Sequence, residues 1–535
     1  MFIAITKKEW LKLKFYFLGM VFILISSLVY FWFNLDFSFS TIEPESMMWY
    51  KFSHLEDKPY FYLSYLFIFF GVTIAFAQFL PERIKNRVRI MAHLPLRLRD
   101  TLFSHLLIGI GFIYILVTIY SISLLFILMN YYPVEIIKVA FKDTIAYSFL
   151  SIVVYMSISS VILEKNHKIV IFKSVLVFIF MMLFLKNQYQ ILDTLWLTFF
   201  CFVPFLVLDS FYSVKQQKLN SIFYKISLGL ISIVFLYLFY LNYTINYKKT
   251  FNKYYIFYSN VISDFVYQKN FGDHQFEYGV KDKNKFDRLT YESYLPFVYW
   301  RNLDIQGKLP LTIKNEVFDK KTIKNSRLGF SYQSKMLEKK EVQLYPLLNP
   351  NSKKGMIKFP EEVFSISNSE ALIYDFDNGL NKELSDILTM KLNDSLFQFP
   401  ALHIWGKSTN MKPYDKGYLV QDSDKSLFNI KRINSEIKVK KIPYPKDIDL
   451  AFIKISENKQ KILSGYAIDN KSNFYLLTWD FKFVKLNLPE FDHRKMKLKL
   501  ISNPLNYLIR YDNGKDYYSV VFDKSFNKIN NIKLN

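Results

Sequence analysis

Seven apolar runs, each about 20 residues long, crowd the N-terminal part of the chain, at roughly 15–34, 59–80, 101–129, 143–163, 169–186, 191–213 and 225–245. A helix rises about 1.5 Å per residue, so about 20 apolar residues cross ~30 Å of hydrocarbon. The runs therefore predict an α-helical polytopic membrane domain of about seven spans. The first run is too long for a signal-peptide core and no small-x-small cleavage site follows it, so it is read as a span. Beyond residue 245 the apolar runs stop. The 535 residues are 51% hydrophobic and 19% aromatic, which excludes disorder. Their mean hydropathy of +0.10 averages two unlike halves. Cys201 is the only cysteine, so a disulfide framework is excluded as well.

Lysine and arginine counts in the short loops set an expected orientation. One set of loops holds 15 of them: Lys7, Lys8, Lys12, Lys14, six between 81 and 100, Lys165, Lys168, Lys215, Lys218 and Lys225. The opposite set holds Lys51, Lys58, Lys138, Lys142 and Lys186. The bias predicts a cytoplasmic N-terminus, and an odd number of spans then places residues 246–535 outside. Glu164, Lys173, Asp193 and Asp209 fall near run ends, where they are expected to reach the interface. His105 is expected to be an interfacial residue. No run has the Gly/Pro-broken centre of a secondary transporter, which argues against an ion-coupled pump.

Two basic segments attract attention. In residues 1–14, Ile5, Trp10 and Leu13 share one helical side while Lys7, Lys8 and Lys12 lie elsewhere. That spacing predicts a short interfacial helix with lysines toward anionic headgroups, or a charged flank that only fixes topology. In residues 81–100, Ile84, Val88 and Met91 recur every three to four positions and Pro95 closes the stretch. This predicts a short amphipathic helix along the membrane that presents Glu82, Arg87 and His93 to something below.

Lys7-Lys8-Glu9-Trp10-Leu11-Lys12-Leu13, with Glu82-Arg83 and Leu94-Pro95-Leu96-Arg97, resembles the membrane subunit of type-2 ABC exporters over residues 1 to about 213. The resemblance implies that Glu82, Arg83, Arg87, His93, Pro95 and Arg97 couple the chain to a cytoplasmic ABC ATPase. It also implies a bacterial inner-membrane location and a second copy or second permease as neighbour. The usual subunit stops after six spans, whereas here a seventh exports about 290 further residues. No G-x-x-x-x-G-K-[ST] phosphate loop occurs, so ATP hydrolysis is assigned to the partner.

After Gly417 the pattern turns to strands. Gly417-Tyr418-Leu419-Val420, Gly465-Tyr466-Ala467-Ile468 and Asn506-Tyr507-Leu508-Ile509 align at intervals of 48 and 41 residues, each followed by an aromatic strand. That period is propeller-blade spacing. The expected architecture is an interfacial helix at 1–14, a transmembrane domain at 15–245, a mixed α/β connection at 246–400 and a mostly-β, propeller-like extracytoplasmic domain at 401–535. A helix is predicted over 381–397. Segments 344–360 and 399–418 are similar to an uncharacterised bacterial membrane-protein family that accompanies ABC ATPases, which implies the same partner and no chemistry.

No H-E-x-x-H, C-x-x-C or G-x-S-x-G is present, so no catalytic, cofactor or metal residue is predicted and the chain is not read as an enzyme. Asp375-x-Asp377 and Asp422-x-Asp424 lack the glycine and glutamate of a calcium loop and are read as Asx turns. Trp405 and Trp479 are expected in the core. Residues 246–535 hold 48 Lys and Arg against 33 Asp and Glu, and these lysines alternate with strand residues, which points to lipid or envelope polymer and away from nucleic acid. Two functions fit: a permease-type subunit of an ABC system, or a membrane-anchored assembly or sensor protein acting through its β domain.

Overall fold

The computed structural model describes residues 2–84, 97–187, 203–212 and 253–535 except 284, 352–354 and 446, with isolated residues between 229 and 244. The chain divides into two compact units, Met1–Lys248 and Lys249–Asn535.

The first unit is helical: α1 Phe2–Thr41, α2 Ser46–Leu55, α3 Ser64–Ile84, α4 Leu98–Met129, α5 Val134–Leu163, α6 His167–Asn187 and α7 Val203–Tyr212. Among the described residues four helices (α1, α3, α4 and α5) are long and apolar enough to cross a membrane. Seven spans are therefore not supported. The runs expected at 191–213 and 225–245 lie largely outside the described residues. The interfacial helix expected at 1–14 is no separate element, because α1 runs unbroken from Phe2 to Thr41. No proline interrupts residues 2–41, so one hydrogen-bond ladder continues from the basic segment into the apolar run.

Leu13, Met20, Leu24, Leu28, Phe31, Leu35 and Phe39 form one buried stripe along α1. On the other faces Phe15, Phe22, Phe33 and Phe37 are each at least 60% exposed. A helix apolar all round, with only one stripe covered by protein, suits lipid on its remaining faces. The backbones of α3 and α5 meet closely at Gly71, where a Cβ would lie 2.6 Å from the Ser151 carbonyl. Such small-residue contacts let helices associate where lipid removes the hydrophobic drive.

The second unit is mostly β. It contains five four-stranded antiparallel meanders. The first is β1 Lys253–Ser259, β2 Asp264–Gly272, β3 Gln275–Val280 and β4 Lys285–Phe286. After helices α8 Arg288–Tyr294 and α9 Trp300–Ile305, hairpin β5 Leu311–Ile313 and β6 Glu316–Phe318, α10 Lys320–Ser326 and β7 Gly329–Tyr332, four further meanders follow. These are β8 Tyr345–Pro346 to β11 Gly379–Leu380, β12 His403–Trp405 to β15 Glu436–Ile442, β16 Leu450–Ile455 to β19 Phe483–Leu486, and β20 Lys497–Ser502 to β23 Lys528–Leu534. Strand β7 adds a fifth strand beside β20. The expected helix at 381–397 is α11 Lys382–Asp394, capped by the Asn381 side chain on Leu384 N at 3.1 Å.

The three aligned units occupy equivalent places. Tyr418, Tyr466 and Tyr507 all sit on the second strand of a meander. Residues such as β17 Leu463–Asp469 are buried at every position, because sheets cover both faces. Tyr466 and Ile468 pack with Leu500 and Ile509 of the fifth sheet, while Ala467 and Leu477 pack with Leu419 and Leu427 of the third. Tyr345, Phe364 and Ile373 join the second sheet to Tyr418 and Phe428 of the third. Ile256, Tyr258 and Phe265 join the first sheet to Leu508 and Val521 of the fifth. The spatial order is therefore second, third, fourth, fifth, first.

Among the described residues this row does not close, and the propeller expectation is corrected to an open stack. The chain between β4 and β8 makes α8–α10, one hairpin and β7 instead of a closing sheet. The sheets also do not begin at residue 401, since two of the five precede it. The stretch Tyr254–Tyr267 is two paired strands.

Gly465 has φ of +144°, at a bulge where a Cβ would lie 1.8 Å from the Lys454 carbonyl. Gly465→Ala should therefore cost about 3 kcal/mol through backbone displacement. Limited proteolysis of the second unit against temperature checks this.

Candidate functional site

Glu9 occupies the buried stripe of α1 one turn before Leu13 and is 0% exposed. An ionised carboxylate inside a helical bundle must be paired. Lys12 supplies the partner, its Nζ 2.9 Å from Glu9. The same Nζ donates to the Gln78 carbonyl of α3 at 2.8 Å and to Glu82 Oε1 at 3.2 Å. Lys8, one turn earlier, lies 2.9 Å from Glu82 Oε1. His105 of α4 places Nδ1 3.1 Å from Glu9 Oε1. Gln78 Nε2 donates to the His105 carbonyl at 2.9 Å, and its Oε1 accepts from Tyr155 Oη of α5 at 2.5 Å. Four helices meet in one polar cluster.

A second cluster adjoins the same end of α3. Lys173 of α6, 1% exposed, lies 3.0 Å from both Glu164 Oε2 and Asp209 Oδ2 and donates to Ser210 Oγ at 2.7 Å. Arg83 Nη1 donates to the Glu164 carbonyl. At the other end of α3, Lys58 Nζ and Tyr60 Oη reach Asp143 Oδ2 at 2.8 and 2.6 Å. Tyr60 and Glu82 are separated by about a bilayer's hydrocarbon thickness of helix.

These positions differ from the sequence expectation in several respects. Lys8 and Lys12 turn toward Glu82, not toward headgroups, because α1 lies beside α3. Lys7 remains exposed, and Trp10 is 45% exposed while its ring stacks on Phe112 at 5.9 Å. Glu82 is 2% exposed and faces inward. Arg97 precedes α4 and is exposed. Arg87, His93 and Pro95 lie outside the described residues, as does Asp193. Glu164 and Lys173 do not reach out to an interface; they are buried and paired. His105 is likewise buried. Glu9 carries no signal of its own among the lysines of the basic segment, although its spacing to Leu13 and Met20 marks the buried stripe.

In the second unit the turn readings are borne out. Asp375 Oδ1 accepts from Asn378 N at 2.7 Å, and Asp422 Oδ1 accepts from Ser426 N at 2.6 Å. Trp405 is in the core. Trp479 is only half-buried, beneath the Lys416 ammonium 4.3 Å from its ring. The segment 406–417 is tied down by Lys412, whose Nζ lies 2.7 Å from Asp415 and 2.8 Å from Glu457. Burial pushes the Glu457 carboxyl above its ordinary value despite Lys412. Among the described residues no group of three acidic, histidine or cysteine side chains is arranged to hold a metal.

Residues 255–522 match the family described as a domain of unknown function, DUF4857. The chain belongs to this family. The matched DUF4857 region starts within β1 and ends within β22, so it includes strands of all five sheets and none of the helical unit. No curated protein and no solved structure matches the chain.

The first cluster is best described as a clasp. It holds α1, the last turn of α3 and the first turns of α4 against one another, so both flanks of the 85–96 segment are bound to one set of charges. Lys12→Met removes the cation shared by Glu9 and Glu82 and should cost about 3–5 kcal/mol. Lys8→Met, with its side chain 44% exposed, should cost about 0–1 kcal/mol. Thermal unfolding of the detergent-solubilised chain would compare the two.

Proposed function

We propose that this membrane protein is a permease-type subunit of a bacterial ABC export system, working with a cytoplasmic ATPase and carrying an extracytoplasmic DUF4857 region that receives cargo or docks a partner. The observation that carries the reading is the clasp. Lys12, Glu9, Glu82 and His105 tie the N-terminal helix to both flanks of the segment whose motifs resemble the exporter coupling loop. A push on that segment from below would move α1, α3 and α4 together. Glu82 then acts as a positioning residue inside the bundle, while exposed Arg97 is free to meet the partner.

Arg97→Glu should reduce the ATPase co-purified with the chain by at least about tenfold, since reversing an interface charge costs a few kcal/mol, while insertion is unchanged. The loop charges place the N-terminus in the cytoplasm in this reading. In this reading the chain crosses the membrane an odd number of times, so an alkaline phosphatase fused after Asn535 should be active, and an inactive fusion in a stable, inserted protein would overturn it.

A second reading has its own support. The family match covers the β unit alone, which is what a membrane-anchored sensor or assembly protein acting through that unit would give. In that case Arg97→Glu changes no partner.

A further inference from the structure

In the second unit a cleft of about 220 Å³ lies between β1 of the first sheet and β7, β20, β21 and β22 of the fifth. Tyr332, Leu498 and Tyr511 also line it, although their side chains are buried in the core that the fifth sheet shares with the fourth. The rim of the cleft carries Lys253, Lys497, Lys499 and Arg510 against one carboxylate, Asp512.

The register makes this excess of positive charge unusual. Lys499 of β20 and Arg510 of β21 are direct cross-strand partners, so both side chains project from the same face of the sheet. Like charges placed directly opposite destabilise a sheet. Asp512 is shared: its cross-strand partner is Lys497, 3.9 Å away, and its charge also favours the charged form of Arg510. Among the described residues neither Lys499 nor Arg510 has a carboxylate within 4 Å. Arg510 Nη1 reaches one carbonyl, that of Ile256, at 3.5 Å, and its guanidinium lies 4.5 Å from the Phe257 ring. Burial holds that guanidinium below its ordinary value, although it stays charged. Ser519, directly across from Arg510 on β22, is fully buried and its Oγ has no hydrogen-bond partner.

Guanidinium and ammonium groups lining one cleft with a single carboxylate suit an oxyanion, which Arg takes with paired donors and Lys as a point charge. The cleft is larger than the anion alone requires, and Tyr254, Tyr255 and Tyr517 wall it. Aromatic walls beside cationic groups suit the C–H face of a sugar ring. We propose that this cleft binds a phosphate group, carried on a monosaccharide or free, with Arg510, Lys499 and Lys253 as its ligands. The anion would add counter-charge to a cleft where Asp512 alone faces four cations. The inference is independent of the transport reading, since it concerns the β unit alone.

The test is calorimetric titration of the purified full chain in detergent with inorganic phosphate, glucose 6-phosphate and glucose. Glucose 6-phosphate should bind and glucose should not. Binding of phosphate as tightly as glucose 6-phosphate identifies the free ion as the source, whereas tighter glucose 6-phosphate binding identifies the sugar-borne group. Lys499→Gln and Arg510→Gln should each weaken binding at least about tenfold, a loss typical of one charged hydrogen bond. Lys499→Gln has a second readout. Without ligand, its β unit should resist heat and protease as well as or better than the parent, because a repulsion has been removed. A lysine with a merely structural role would give the opposite. No binding of either phosphate, equal binding of glucose, or binding unchanged in Lys499→Gln would each overturn the proposal.

Discussion

Lys173→Ala should collapse the helical unit. Its ammonium is shared by Glu164 and Asp209 at 3.0 Å each, in a site where Lys173 and Glu164 are both at most 1% exposed. Removing one member of a buried charge group strands the others in a low dielectric and costs about 3–5 kcal/mol. Inside a bilayer no water can substitute for the lost cation. The effect should spread, because Ser210 Oγ, which accepts from Lys173, donates to the Ser160 carbonyl at 2.7 Å and so links α7 to α5. The expected result is an aggregated peak in detergent size-exclusion chromatography where the parent runs as one species. Lys173→Arg keeps the charge and should stay soluble. A monodisperse Lys173→Ala protein would mean that the three charges are not mutually compensating.

Leu477→Asp should unfold the β unit and spare the helices. Leu477 is 0% exposed in the core between the third and fourth sheets, with Ile453, Ala467 and Phe481 around it. An aspartate there loses the leucine's packing and buries a carboxylate with no cation in that cluster, which together exceed about 4 kcal/mol. Since the fourth sheet buries both faces against neighbours, loss of one interface exposes the next. Trypsin should then degrade residues beyond 253 rapidly while the first unit stays in the membrane fraction. Asn470→Ala, which removes a 2.7 Å bond to Asp449 at an exposed turn, should cost about 1 kcal/mol and leave the unit resistant. Equal resistance of Leu477→Asp and Asn470→Ala would refute the packing described for the fourth sheet.

The division between helical and β halves was legible because hydropathy changes abruptly near residue 245, and the compact units part at Lys248. Three meanders were legible as well, since Tyr418, Tyr466 and Tyr507 mark equivalent second strands. Their first strands were not. His403–Trp405 is three residues long, and Lys497–Ser502 alternates lysine with leucine and reads as a surface. The first sheet was hidden because the aromatics of Tyr254–Tyr267 cluster at 254–258 and 265–267, so neither a strand nor a helix period stands out. Closure could not be read from a repeat length, because closing a ring depends on what the chain does between β4 and β8.

The site was half legible. Glu82, Lys8 and Lys12 stand out as charges, and sequence reasoning turned them outward because charge is usually solvated. What reverses them is α1 itself. An uninterrupted helix carries Glu9 on the same stripe as Leu13, and only packing against α3 and α4 reveals that Glu82 and His105 lie on the other side. Arg510 and Lys499 were invisible for a related reason, since two cations 11 residues apart become neighbours only once the β20–β21 register is known.

The most direct measurement is identification of what accompanies the chain out of native membranes. Affinity purification of the intact protein, followed by mass spectrometry and an ATP hydrolysis assay, should recover an ABC ATPase in a fixed ratio to the chain, with Arg97→Glu releasing it. Recovery of the folded, inserted chain without any nucleotide-hydrolysing partner would contradict the permease assignment.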